Sequence, residues 1–339
     1  MDFTDLDSNA TKCVNLRLCS VSGCMTEILE IRADRPSFHV VFVPGNPGVI
    51  TFYKEFVESL FKSLGGMASV SAVGASGHTE KIEFIKVQNI EAPLVLVGHS
   101  IGSYIALEML RRLPEKAMYC IGLYPFLALN LQSKKQAVIV KVIMSRVLST
   151  MVTLFVASLS LLPRQVLRLI SELSNGKSWS NTAHEACCSH LPQYHTIRNV
   201  LYMARTEFIK LSETPDWEFM RENQEKISFL YGIDDHWGPL QMFEEVESNS
   251  LFLKSCISGS DPQNPLLLEN RKRPSTRDGA SDRKVVITVT IKNMVSRQAS
   301  GIALSIEREG HTHGFCCTEA GSIWVARHVA SLIKNKLAR

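Results

Sequence analysis

The sequence predicts an α/β fold with a mostly parallel central sheet flanked by helices. Short runs rich in apolar and β-branched residues alternate with stretches of helical period, the pattern of strands joined by helical crossovers. The run at 94–97 is apolar throughout, as expected for a strand covered on both faces. A length of 339 residues suits one such domain with insertions, so we expect residues 1–339 to form a single domain.

The first predicted elements form a hairpin, because residues 14–33 alternate apolar and polar side chains in two runs separated by a Ser/Gly turn. The run at 39–43 is a strand that must end at Pro44-Gly45-Asn46-Pro47-Gly48, since neither a strand nor a helix continues through that segment. Further strands are predicted at 68–73, 94–97, 117–123, 227–231 and 302–306, and helices at 104–112 and 322–337.

Composition excludes several classes of protein. The net charge of +4 comes from 37 basic and 33 acidic residues, which is too small and too mixed an excess to indicate nucleic-acid binding. The nine cysteines lack CxxC spacing, which favours reduced thiols in a cytosol-facing protein. Residues 1–10 are polar and acidic, so we expect no cleaved secretory signal.

Residues 130–215 interrupt the alternation and are predicted to form a helical lid or cap. Within them, 147–163 carries no charge but is shorter than the ~20 apolar residues of a spanning helix. A buried or lid helix is the favoured interpretation, and insertion into a lipid monolayer is the alternative. Four basic residues upstream would suit an anionic surface. They are Lys134, Lys135, Lys141 and Arg146.

A second irregular stretch, 247–298, is rich in Ser, Asn, Pro and charged residues and is predicted to be a disordered or irregular insertion. Its basic segment 271–274 is interpreted as a solvated run rather than a nuclear address. The strand-like run at 285–291 has no assigned place in the predicted sheet.

The segment Gly98-His99-Ser100-Ile101-Gly102 lies between an apolar strand and an amphipathic helix, the context of a nucleophile elbow. A serine at such a sharp turn has a strained backbone, and glycines two residues away avoid collisions with the strand and helix. Ser100 is therefore the predicted nucleophile of a serine hydrolase with the α/β-hydrolase fold. The backbone amide of Ile101, at the helix N-terminus, is a predicted oxyanion donor.

The loop 44–48 supplies the second predicted oxyanion donor, the backbone amide of Asn46. Prolines at 44 and 47 would rigidify this loop and hold the donor in place. The alternative interpretation is an ordinary Pro/Gly turn.

The other catalytic residues should follow in the order acid, then histidine. Asp235, just past the strand at 227–231, is the predicted acid, with Asp234 as the alternative. His311 and His313 follow the strand at 302–306, and spacing alone leaves either of them open as the general base. His236 follows the predicted acid too closely to be favoured as the base.

A zinc site formed by His311, His313 and His236 is a weaker hypothesis, because no HExxH motif or Cys/His quartet accompanies these histidines. Neither a GxxxxGK[ST] nor a GxGxxG segment is present, so the sequence gives no support for a nucleotide cofactor. We therefore expect neither a metal nor a cofactor.

Two segments together, 43–48 with Phe52-Tyr53 and 97–104, resemble the lipid droplet-associated hydrolase family, particularly its plant-like members. The resemblance covers most of 35–246 and 301–337. It implies a triad of Ser100, Asp235 and His313, because the base of the family lies in a His-small-Phe segment, here 313–315. It also implies hydrolysis of lipid esters of the sterol ester or acylglycerol type, attachment to lipid droplets and the endoplasmic reticulum, and a role in lipid storage.

This chain departs from the family pattern in the short link 74–93 and in the long stretch 247–298. These departures favour one rival hypothesis, a catalytically weak or inactive lipid-droplet or membrane-interaction protein. A further rival is an acyltransferase or thioesterase with the same triad, since sequence does not distinguish between acyl acceptors. The oligomeric state is not predicted.

Overall fold

A computed structural model describes most of the chain except its N-terminus and one long internal stretch. The described residues are 14–21, 23–74, 78–129, 133–175, 178–233, 235, 237, 299 and 301–339. The predicted insertion at 247–298, with its basic and strand-like runs, lies outside the described residues. Asp234 and His236 lie outside them as well.

The centre of the fold is an eight-stranded sheet in the order β1-β2-β4-β3-β5-β6-β7-β8. The strands are β1 Asn15–Val21, β2 Cys24–Ile31, β3 Phe38–Val43, β4 Ala68–Val73, β5 Leu94–His99, β6 Ala117–Leu123, β7 Ile227–Gly232 and β8 Ala303–Glu307. The β1–β2 hairpin is antiparallel and adds antiparallel to β4, whereas every pair from β4 to β8 is parallel. The prediction of a mostly parallel sheet with an N-terminal hairpin is confirmed.

Helices cover both faces of this sheet and fill the long connection between β6 and β7. They are α1 Lys54–Ser63, α2 His78–Val87, α3 Ile101–Arg112, α4 Lys134–Met144, α5 Arg146–Ser158, α6 Arg164–Asn175, α7 Asn181–Ser189, α8 Tyr194–Lys210, α9 Trp217–Glu222 and α10 Glu319–Leu337. Helix α10 begins before the predicted residue 322 because the Thr318 hydroxyl caps it, accepting from the Gly321 amide at 3.1 Å.

The core lies on the two faces of the parallel strands, which carry alternate side chains into two clusters. On one face, Val40 and Phe42 of β3 pack with residues of α1 and α10. On the other, Val41 and Val43 pack with residues of α2 and α3. Burial on both faces explains why the central strands read as apolar runs. The short link 74–93 accommodates the crossover because it holds the ten-residue helix α2.

Helices α4 to α8 occupy most of 130–215, the stretch predicted as a helical cap, and its role as a lid stays a prediction. The interpretation of 147–163 as a buried helix is wrong, because only Thr153 of α5 is buried. The helix packs by one side on α4 and α8 and leaves its largest apolar side chains exposed.

No helix in the described part of the chain is long and apolar enough to cross a membrane. Helix α4 and the segment 146–161 meet the limits of length and composition only as a pair, and they are bent by 96° at the break between them.

Candidate active site

The turn from β5 to α3 holds Ser100 in a conformation that few non-glycine residues adopt, with φ 56° and ψ −123°. Neither Gly98 nor Gly102, the two glycines that flank this turn, has room for a side chain. A Cβ at Gly98 would overlap the Gly102 carbonyl, and one at Gly102 would overlap the Val43 carbonyl. The elbow predicted from the sequence is therefore present as a strained strand-to-helix turn with Ser100 at its apex.

Three of the predicted site residues meet in one line of hydrogen bonds. His313 Nε2 lies 2.9 Å from Ser100 Oγ, and His313 Nδ1 lies 2.9 Å and 3.0 Å from the two carboxylate oxygens of Asp235. The Asp235 side chain is fully buried and also accepts from the Trp237 amide at 2.8 Å. With Nδ1 donating to the carboxylate, Nε2 is left to accept from the Ser100 hydroxyl.

The sheet brings these residues together, because each follows the carboxyl end of a parallel strand. Ser100 follows β5, Asp235 follows β7 and His313 follows β8. These strands are neighbours in the sheet apart from β6, which lies between β5 and β7. Residues separated by 213 positions in sequence therefore lie at one edge of the sheet.

The alternative base, His311, lies elsewhere. Its ring packs on Trp324 with the ring centroids 5.8 Å apart, and its carbonyl accepts from the Tyr124 hydroxyl at 3.4 Å. Within the described residues, no group of three or more His, Cys, Asp or Glu side chains is arranged to hold a metal ion.

The segments that carry the two predicted oxyanion donors lie beside Ser100. Ile101 is the first residue of α3, so no carbonyl within the helix accepts from its amide. The loop with Asn46 approaches from β3, and a Cβ built at Gly45 would lie only 2.9 Å from Ser100 Cβ. The Asn46 side chain is held by α8, where it donates to the Val200 carbonyl at 3.1 Å and to Glu207 at 3.5 Å.

The family model described as "Lipid-droplet associated hydrolase" matches residues 36–92 and 81–251. The chain belongs to this family. The two matched ranges overlap at 81–92, which lies within the short link where the sequence departs from the family pattern.

Curated members of the lipid-droplet associated hydrolase family are similar to the chain over most of their length. The protein of Dictyostelium discoideum named lipid droplet-associated hydrolase is 28% identical over 267 residues, which are 69% of this chain and 84% of the relative. The Gallus gallus protein of that name is 26% identical over 244 residues, which are 62% of this chain and 74% of the relative.

Solved structures confirm the fold class. An epoxide hydrolase from Vigna radiata superposes with a TM-score of 0.58 at 12% identity, covering 96% of this chain and 100% of that enzyme. A haloalkane dehalogenase from Bradyrhizobium elkani gives a TM-score of 0.58 at 12% identity, covering 96% and 99%. At this identity the likeness shows the α/β-hydrolase fold alone. Membership of the lipid-droplet associated hydrolase family indicates a hydrolase associated with lipid droplets.

Sequence reasoning about this family member missed three polar residues around the site. Burial holds the pKa of His99 well below its usual value and that of Tyr53 well above it. Burial also raises the pKa of Glu207 on α8 to about 7. In the sequence, His99 is simply the residue before the predicted nucleophile, and Tyr53 is part of the segment that resembles the family. Tyr53 and His99 are 46 positions apart, and no local sequence pattern connects them.

Proposed function

We propose that the protein hydrolyses lipid esters, of the sterol ester or acylglycerol type, with Ser100 as nucleophile, His313 as general base and Asp235 as its acidic partner. The observation that carries this proposal is the unbroken line from Ser100 Oγ through the His313 ring to a fully buried carboxylate. Such a line activates an otherwise weak hydroxyl nucleophile without a cofactor.

In the first half-reaction Ser100 Oγ attacks the ester carbonyl carbon while His313 Nε2 takes the hydroxyl proton. The carbonyl oxygen becomes an oxyanion, which accepts from the amides of Ile101 and Asn46. When the carbon–oxygen bond to the alcohol breaks, His313 gives the proton to the departing oxygen, and the acyl group remains on Ser100. Asp235 holds the Nδ1 proton and stabilises the imidazolium at each step.

In the second half-reaction water attacks the acyl carbonyl, and His313 Nε2 takes a proton from it. The tetrahedral intermediate collapses, Ser100 Oγ recovers the proton from His313, and the fatty acid leaves. An acceptor alcohol or thiol in place of water would give acyl transfer, so the nature of the acceptor decides between a hydrolase and an acyltransferase.

A lipid substrate is supported by an exposed apolar surface near the cap. This surface, the α5–α6 apolar surface, consists of Val147, Met151, Leu154, Phe155, Leu161, Leu169 and Leu173. Each of these side chains is more than half exposed, and the four on α5 recur at the spacing of one helical face. An exposed apolar surface of this kind marks a contact with a membrane or a partner. Exposed Arg146 and Arg164, at the starts of the two helices, suit an anionic lipid surface.

We infer that the α5–α6 apolar surface rests on the cytosol-facing monolayer of a lipid droplet or on the endoplasmic reticulum. There the enzyme would release fatty acids from stored esters, which is a role in lipid storage. The α5–α6 apolar surface belongs to helices inserted between β6 and β7, which are two strands of the sheet that carries the site. The family name supports the lipid droplet as the first location to test.

The test is covalent labelling with a fluorophosphonate probe, followed by peptide mapping and by assays on a sterol ester and an acylglycerol. Ser100→Ala is the test variant, and Ser158→Ala, which removes an exposed hydroxyl on α5, is the matched control. We expect labelling and ester hydrolysis in the wild type and in Ser158→Ala but not in Ser100→Ala. Folded wild-type protein that neither labels nor hydrolyses would favour the non-catalytic alternative.

A further inference from the structure

A buried chain of hydrogen bonds links the three loops of the site from beneath Ser100. The Gly45 amide donates to Tyr53 Oη at 3.1 Å, Tyr53 Oη lies 2.7 Å from His99 Nδ1, and His99 Nε2 lies 2.9 Å from the His313 carbonyl oxygen. Tyr53 and His99 are only 4% and 5% exposed. The chain therefore runs from the oxyanion loop, through the elbow, to the loop that carries the base.

Only one arrangement of protons gives every group in this chain of hydrogen bonds a matching donor or acceptor. The His313 carbonyl can only accept, so His99 carries its proton on Nε2. His99 Nδ1 then accepts from the Tyr53 hydroxyl, whose oxygen is left to accept from Gly45. The low pKa of His99 and the high pKa of Tyr53 keep both groups neutral, as this arrangement requires.

Packing around the rings of Tyr53 and His99 leaves this chain of hydrogen bonds little freedom to shift. The His99 ring lies 5.0 Å, centroid to centroid, from both His313 and Phe315, and the Tyr53 ring lies 4.7 Å from Phe42 of β3. A Cβ at Gly45 would also lie 3.2 Å from His99 Nδ1. Displacement of His99 would therefore disturb both the loop at Gly45 and the loop that carries His313.

We propose that Tyr53 and His99 are positioning residues, which hold the oxyanion loop at Gly45–Asn46 and the base loop at His313 in register with Ser100. They do so through the backbone, because their partners are the Gly45 amide and the His313 carbonyl rather than reacting atoms. The catalytic part of this inference rests on the proposed function, whereas the structural link between the loops does not.

The first test removes the Tyr53 hydroxyl. Tyr53→Phe leaves the Gly45 amide and His99 Nδ1 buried without partners, so both loops should loosen. We expect the kcat for a soluble p-nitrophenyl ester to fall by roughly 10- to 100-fold, the range that small displacements of catalytic groups produce, with little change in KM. The matched control is Tyr119→Phe, which removes the hydroxyl of a buried tyrosine on β6 and should retain wild-type turnover.

The second readout is independent of activity. Amide hydrogen exchange, followed by mass spectrometry on the full chain, should be faster in peptides covering 44–49 and 311–317 of Tyr53→Phe, and unchanged there in Tyr119→Phe. Wild-type exchange in both peptides would overturn the inference whatever the turnover. Faster exchange in a protein whose wild type has no esterase activity would support the link between the loops and refute the proposed function instead.

A third comparison tests His99 and stands in if Tyr53→Phe does not fold. In His99→Gln the amide nitrogen retains a donor for the His313 carbonyl, whereas His99→Phe retains only the ring packing. We expect His99→Gln to have at least about fivefold higher kcat than His99→Phe, and slower exchange at 311–317. Equal turnover and equal exchange in the two variants would contradict a role for this hydrogen bond.

Discussion

At the scale of single residues, the histidine of the site shows what local sequence can and cannot predict. His311 and His313 both follow β8, and spacing left them equal as candidates, because the choice depends on the path of the loop after the strand. Gly310 turns that path with a φ of 90°, and only His313 then faces Ser100 and Asp235. Ser100 itself was predictable because strand, glycines and helix are contiguous in sequence.

Loss of the acidic partner should abolish most of the turnover. In Asp235→Asn the amide no longer stabilises the imidazolium and favours the wrong tautomer of His313, so we expect kcat to fall by about 10³- to 10⁴-fold. Steady-state ester hydrolysis measures this. The control is Asp216→Asn, which changes an exposed aspartate that caps α9 to another good N-cap residue. A decrease of less than tenfold in Asp235→Asn would exclude Asp235 as the acid.

Glu207 should make stability depend on pH. Its pKa is raised from 4.5 to about 7 in the folded protein, so the folded state holds its proton more tightly than the unfolded state. Between pH 4.5 and about 7 the unfolded state therefore binds fewer protons, and the free energy of unfolding falls as pH rises, by up to about 3 kcal/mol. The loss is complete above the folded pKa and absent below the unfolded one.

Glu207→Gln should remove this decrease, because a neutral amide needs no proton to remain half-buried. Urea unfolding at pH 5 and pH 8 measures the difference, with Glu222→Gln, a change of an exposed carboxylate on α9, as the control. The same difference between the two pH values in Glu207→Gln and in the wild type would contradict this interpretation.

At the scale of elements, strands were predicted better than the surroundings of helices. Each strand predicted within the described residues is present, since an apolar run between turn residues is a local signal. The apolar segment that forms α5 was predicted to be a buried or lid helix, but burial depends on which neighbours cover a helix. Helices α4 and α8 pack on α5 but leave most of its apolar side chains exposed, so its apolar composition indicates an exposed apolar surface instead.

The α5–α6 apolar surface should be needed for attachment to lipid. Phe155 and Leu161 are 68% and 86% exposed, so their substitution by Glu leaves folding intact but places charge where acyl chains would lie. We expect binding of Phe155→Glu/Leu161→Glu to phospholipid-coated triacylglycerol emulsions to fall at least about tenfold, given roughly 1.5–3 kcal/mol for burying each large apolar side chain.

The matched control for this surface is Leu18→Glu, an equally apolar and 62% exposed position on β1, at the far edge of the sheet. Flotation with the emulsion measures binding, and hydrolysis of a soluble ester should be unchanged in all these variants. Equal flotation of Phe155→Glu/Leu161→Glu and Leu18→Glu would show that the α5–α6 apolar surface does not make the contact.

At the scale of the whole molecule, topology accounts for the site. The order β5-β6-β7-β8 of parallel strands gathers the loops after β5, β7 and β8 at one edge, although helices α4 to α9 lie between β6 and β7 in sequence. Sequence predicted the parallel class but not this order, nor the placement of β4 between β2 and β3, because pairing partners are set by long-range contacts. The Tyr53–His99 chain depends on the same long-range arrangement.

Detection of an acyl-enzyme is the decisive measurement for Ser100 as the nucleophile. Full-length protein is mixed with a long-chain p-nitrophenyl ester, quenched in acid within the first turnovers, and analysed by intact mass and peptide mapping. We expect the mass of one acyl group on the peptide that contains Ser100, and none in Ser100→Ala. An acyl group on another residue, or ester hydrolysis that persists in Ser100→Ala, would contradict this role of Ser100.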